Sequence, residues 1–132
     1  MPKNRPLKWL PSPAEHDYPS AASFLGLLTE SAQVEALTRA LSHAPTVRQH
    51  AKDILRAARL PLLPAADPQV ARDLRRVAKG TALSPILLVR GDLAAGLPLQ
   101  IADGYHRVCA SYHLGEDTEI PCRIVDLAVT VA

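Results

Sequence analysis

Apolar positions change period along this chain, and each change marks a predicted element. Val34, Leu37 and Leu41 recur at i, i+3 and i+7, which predicts one buried stripe on a helix running from Thr29 or Ser31 to about His43. Upstream, Ser12 to Glu15 resembles a capping box with Pro13 at the first helical position, and Pro19 limits it to one turn. Ser20 then starts a helix through Phe24, Leu25, Leu27 and Leu28, so residues 12–43 read as a helical hairpin. After the break at Ala44-Pro45 the period falls to two. Val47, Gln49 and Ala51 alternate with Arg48, His50 and Lys52, which predicts a partly exposed strand over Thr46–Lys52. Asp53 caps a short helical turn through Ile54 and Leu55, and Leu60 to Pro64 is an extended loop.

The helix with the clearest signals comes next. Asp67 is its N-cap, Pro68 its first residue and Gly80 its stop, and Val70, Leu74 and Val77 line one face. The unbroken apolar run Ile86–Val89 predicts a central strand, and Leu99–Ala102 an antiparallel partner. Asp103-Gly104 is a turn. Val108, Cys109, Ser111 and Tyr112 then follow helical spacing up to Gly115. An acidic loop, Glu116 to Glu119, leads to a last strand, Ile120–Val125, with Pro121 near its start. The tail from Leu127 is apolar and available to extend the sheet or meet another subunit. The arm at residues 1–11 is irregular, pinned by Trp9 and Leu10.

Composition narrows the class. A chain of 132 residues, 48% hydrophobic and 21% charged, supports a single globular core, and 4% aromatics makes that core aliphatic. No apolar run reaches the roughly 18 residues that span a membrane, and the basic start lacks an apolar signal core. A cytoplasmic location is therefore expected. Cys109 and Cys122 are read as buried, reduced thiols, with no Cys/His spacing for zinc. The net charge of +2 is uneven: residues 46–90 carry nine basic against three acidic side chains, and residues 91–132 carry two against six. The basic middle is either a solvated face or a surface for nucleic acid. On the predicted helix, Arg72, Arg75, Arg76 and Lys79 also suit the C-terminal dipole.

The candidate chemistry lies in the turn after Ala102. Gly104, Tyr105, His106 and Arg107 occupy a helix start, where unpaired backbone N–H groups and the positive dipole end favour an anion. A guanidinium there makes a phosphate site. The opposing reading is that Asp103 caps the helix itself and closes it to ligands. His16-Asp17-Tyr18 is read as a local cap before a contributor to a site, the alternative it leaves open.

Leu74 to Gly80, Leu83 to Val89, Leu99 to Arg107, Leu114-Gly115 and Ile120-Pro121, in this order, resemble the ParB/sulfiredoxin superfamily. Lys52 to Arg56 looks like that family's opening segment, so the resemblance covers roughly residues 46–126. It implies an α+β fold with a small mixed sheet, here a ParB/sulfiredoxin-like domain at 46–132 preceded by an arm and helical hairpin at 1–45. It also implies a nucleotide phosphate site. Gly104 would let the backbone approach, Tyr105 and His106 would give N–H groups, and Arg107 would pair with phosphate oxygens. Sulfiredoxins carry a catalytic Cys where this chain has Tyr105, so sulfinic-acid reduction is not expected. ParB proteins that partition chromosomes have Glu-Arg-Arg after the Gly and continue into DNA-reading domains. Free-serine kinases of the superfamily have an Asp-Gly-His-His-Arg turn, closer to Asp103 to Arg107, with a catalytic Glu for which Asp53 is the nearest acidic candidate.

The expected function is binding of ATP, ADP or CTP with Mg²⁺, or of another phosphorylated ligand. A phosphotransferase or nucleotide hydrolase would use His106 or Asp103 to handle a proton or orient the metal. Two other classes stand beside it. One is a nucleic-acid-binding or nuclease-like module using Arg48, Lys52, Arg56 and the Arg72–Lys79 face. The other is a non-catalytic protein that meets a partner through residues 12–43.

Overall fold

The structure, a computed structural model, describes residues 7–127, so most of the apolar tail and the first part of the arm lie outside the described residues. A four-stranded mixed sheet runs through the middle in the order β1-β4-β2-β3, where β1 is Val47–His50, β2 Ile86–Val89, β3 Gln100–Asp103 and β4 Glu119–Val125. β4 pairs with β2 in parallel, and the β1–β4 and β2–β3 pairs are antiparallel. The apolar run in β2 has a simple cause. Alternate side chains of a strand point to opposite faces, and both faces of this one are covered. Leu87 and Val89 join one hydrophobic cluster, Ile86 and Leu88 the other. Pro121 sits in an interior strand, but opposite Arg48 and one residue before the pairing with β2 begins at Cys122.

The hairpin covers one face. Helices α1 (Asp17–Leu25) and α2 (Ser31–His43) place Ala21, Leu25, Val34, Leu37 and Leu41 against Leu87, Val89, Ala102 and Val125. Full burial of side chains such as Leu37 and Leu41 contributes roughly 1.5–3 kcal/mol each. The hairpin therefore shares its core with the sheet. The start of α1 corrects the sequence reading. A single helix begins at Asp17 and contains Pro19 in its first turn, where the missing N–H would have had no intrahelical acceptor. Ser20 starts nothing. The helix stops at Leu25, leaving Leu27 and Leu28 exposed (85% and 57%) in the connection to α2.

Helices α3 (Ala51–Ala58), α4 (Pro68–Ala78) and α5 (Tyr105–Leu114) belong to the other face. The strand expected over Thr46–Lys52 ends at His50. Ala51, Ile54, Leu55 and Ala58 are all buried at i, i+3, i+4 and i+7, and this helical stripe overrides the preceding alternation. The N–H groups of Ala51 and Lys52 donate to the carbonyls of Thr118 and Glu116 at 2.9 and 3.0 Å. Asp53 is thus inside α3 and bonds to Arg56, not to a helix start. At α4 the expectation holds: the Asp67 carboxylate accepts from the N–H groups of Gln69 and Val70, both at 3.1 Å. The arm is pinned through Leu83, which exchanges backbone hydrogen bonds with Lys8 and Leu10 beside a bridge from Trp9. Cys109 and Cys122 are buried free thiols, and burial pushes Cys122 up to about 11. Among the described residues, no helix is long and apolar enough to cross a membrane.

Candidate functional site

The turn between β3 and α5 is shaped by Gly104. Its φ is +118°, a conformation that side chains disfavour, and a Cβ there would lie 2.4 Å from Cγ2 of Ile86. Backbone is thereby pressed onto β2, and α5 starts at once. Asp103 does not cap it. The helix has no side-chain cap, and the Asp103 carboxylate accepts from Nη2 of Arg107 at 2.5 Å. Among the described residues, nothing accepts from the backbone N–H groups of Tyr105, His106 and Arg107. The self-closing alternative is therefore not the one adopted.

Arg107 is committed to the protein. Its Nη1 donates to the backbone oxygen and the Oγ of Ser84, both at 2.6 Å, and lies 3.7 Å from Asp17. Ser84 Oγ in turn donates to Asp17 at 2.6 Å, and Asp17 also accepts from the N–H of Ala14. The expected local cap at Asp17 is present, but it is only part of that residue's role. Asp17, Ser84, Arg107 and Asp103 form one largely buried chain joining α1, the segment before β2, β3 and α5. Burial raises the carboxyl of Asp103, against the pull of Arg107.

A polar cleft of about 280 Å³ opens beside this chain. One wall is the turn, through Gly104 and His106. The other is a stripe on α4, Gln69, Arg72, Asp73 and Arg76, spaced i, i+3, i+4 and i+7. Arg72, Arg76 and His106 make no side-chain hydrogen bond or ion pair among the described residues. Asp73 is 4% exposed and also unpaired; burial raises its carboxyl, with Arg107, Arg72, Arg76 and His106 opposing. The cleft is thus lined by His106 and Arg107, whose backbone N–H groups are uncapped, with two guanidinium groups and an imidazole that make no side-chain hydrogen bond, all suited to negatively charged oxygen.

The other predicted site residues separate. The side chain of Tyr105 turns away, its hydroxyl donating to the carbonyl of Pro61 at 2.6 Å. Lys52 is paired with Asp117 at 2.7 Å and Asp53 with Arg56 at 2.6 Å, and neither lines the cleft. Asp53 instead borders a larger, mostly apolar hollow of about 570 Å³ formed with Ile54, Leu88, Leu97 and Leu99. Its charged lining is already engaged, Arg56 with Asp53, Arg59 with the carbonyl of Gly96 and Arg90 with Asp126. Among the described residues, no group of three His, Cys, Asp or Glu side chains is placed to hold a metal ion. Comparison with family models, with curated proteins and with solved structures finds no match to this chain.

Sequence reasoning located the turn but not its opposite wall. Asp73 and the cleft-facing roles of Arg72 and Arg76 were hidden in what read as a solvated basic face. The signal was available: Gln69, Arg72, Asp73 and Arg76 form a second stripe at helical spacing beside Val70, Leu74 and Val77. Ser84 carried no such signal.

Proposed function

We propose that the protein binds the phosphate group of a nucleotide or another phosphorylated ligand in the cleft at the start of α5. The observation that carries this reading is an uncapped helix start facing unpaired guanidinium groups across a shared cleft. The resemblance to the ParB/sulfiredoxin superfamily, whose nucleotide site falls at the matching turn, supports the same assignment. Within it, backbone N–H groups of Tyr105, His106 and Arg107 meet the phosphate, and Arg72 and Arg76 neutralise it. Arg107 acts by holding the turn. ATP, ADP or CTP with Mg²⁺ is the ligand class to examine first. His106, the unpaired imidazole, is the group placed to exchange a proton in a phosphotransferase or hydrolase. Asp103 is occupied by Arg107.

The nucleic-acid reading loses Lys52 and Arg56, paired with Asp117 and Asp53, and keeps Arg48 and the Arg72–Lys79 face. For a partner at residues 12–43, the buried stripe is spent on the sheet and the exposed face, with Leu27 and Leu28, is what is left to meet it. The test is thermal denaturation with each nucleotide, with and without Mg²⁺, on wild type and on Arg72→Ala/Arg76→Ala. A ligand at 100 times its Kd stabilises by about 2.7 kcal/mol. A shift that the double variant loses supports the cleft. No shift with any nucleotide or with inorganic phosphate overturns it.

A further inference from the structure

We infer that the cleft selects an oxyanion that brings its own proton, a hydrogen phosphate group in preference to sulfate or a phosphodiester, and that Asp73 makes the selection. The inference rests on the reading of the cleft as an anion site and adds a demand on the anion. Asp73 is 4% exposed, yet among the described residues no donor reaches its carboxylate. Its oxygens are not sealed in either. Among the described side chains, the one fully enclosed polar atom without a partner is Nε of Arg123, on β4. The small area Asp73 retains opens on the cleft it lines.

A carboxylate accepts hydrogen bonds and donates none. A buried acceptor without a donor is costly, and a ligand that supplies the donor removes that cost. The rest of the cleft, Arg72, Arg76 and the N–H groups at the start of α5, asks for negative oxygen. The two demands are met together by an oxyanion carrying one P–O–H. Sulfate and a phosphodiester have no such proton at neutral pH, so their oxygens would face the Asp73 oxygens with nothing between them. Inorganic phosphate keeps a proton throughout this range, and a terminal phosphate monoester gains one near pH 6. Both share the required chemistry. A nucleic-acid backbone does not.

Titration calorimetry at pH 6, where a terminal phosphate monoester is about half protonated and sulfate is not, with inorganic phosphate, ATP and sodium sulfate on wild type and Asp73→Asn, tests this. The amide of Asn can donate to an unprotonated oxygen, so the variant should admit sulfate. The expected result is wild-type binding of phosphate or ATP at least about tenfold tighter than sulfate, the size of discrimination a built hydrogen bond readily gives. Asp73→Asn should narrow that ratio to about threefold or less by gaining sulfate. Tight ATP with weak inorganic phosphate marks a nucleotide's terminal phosphate as the source of the proton, and the reverse marks the free ion. A wild type that binds neither phosphate nor ATP tighter than sulfate would overturn the role of Asp73 and leave the anion cleft standing. An unchanged ratio in Asp73→Asn would do the same. Binding of none of the three would overturn the cleft itself. The wild-type ratio decides the matter even if the variant fails to fold.

Discussion

Replacing Arg107 separates two roles that the sequence alone merged. As a phosphate ligand its loss would abolish binding and spare the fold. In the structure its side chain is 13% exposed and neutralises Asp103 (14%) and Asp17 (5%). Arg107→Met keeps the apolar stem and removes the charge, leaving two largely buried carboxylates without their cation. Breaking a buried pair in this way costs about 3–5 kcal/mol. The lower end applies here, because Ser84 still donates to Asp17. A loss of about 3 kcal/mol is a large share of the roughly 5–15 kcal/mol a domain has, and would lower Tm by roughly 10–15 °C. Urea unfolding followed by circular dichroism at pH 7, on wild type, Arg107→Met, Asp103→Asn and the double variant, measures it. The double variant should recover part of the loss, since one stranded charge is gone. A loss under about 1 kcal/mol in Arg107→Met, or strict additivity in the double variant, would refute the buried chain. The guanidinium would then be free for a ligand after all.

Three further outcomes follow from the same geometry. Gly104→Ala forces a Cβ onto Ile86 at an unfavourable φ and should cost about 2–5 kcal/mol; denaturant midpoints check it, and a near-neutral result would contradict the packed turn. Asp73→Asn should stabilise the protein at pH 7 by about 0.5–2 kcal/mol. Burial raises the Asp73 carboxyl above its ordinary value of 3.8, so wild type is favoured at low pH and loses stability as pH rises through the folded-state value. The advantage of the variant should therefore appear above about pH 4 and vanish below it, read from unfolding midpoints across that range. Leu37→Ala, at a side chain 1% exposed between hairpin and sheet, should cost about 2–5 kcal/mol in one cooperative transition; a separate early transition would show that the hairpin folds apart.

Much of the architecture was legible because single residues carried unambiguous physics. Asp67, Pro68 and Gly80 bound α4, and the run Ile86–Val89 reads as a central strand, which the structure covers on both faces. The turn at Gly104 was legible for the same reason. Misreadings arose where two local signals competed. At Ala51 a period of two overlapped a period of 3.6, and burial of Ile54 and Leu55 decided for the helix. At Pro19 the proline signals a break in the sequence, although the first helical turn tolerates it. The site was half legible. Its turn is contiguous in sequence, whereas Asp17, Ser84 and Arg107 meet only through tertiary packing, which no spacing encodes. Arg72 and Arg76 looked solvated because a basic residue near a helix end is ordinary, and only the neighbouring turn makes a cleft of that surface.

The chain of Asp17, Ser84 and Arg107 also sets an order in time. Asp17 and Ser84 are 67 residues apart, and Ser84 and Arg107 a further 23. During synthesis α1 leaves the ribosome long before its cation exists. Until α5 has emerged, Asp17 has the N–H of Ala14 and later the hydroxyl of Ser84 to bond to but no guanidinium to neutralise it, and the hairpin is held by its apolar stripe. The cleft thus waits for the start of α5, and the sheet behind it waits longer still, for β4. Truncation between the end of α4 and the turn at Gly104 would leave a nascent chain with all of α4's charge and no turn to set against it.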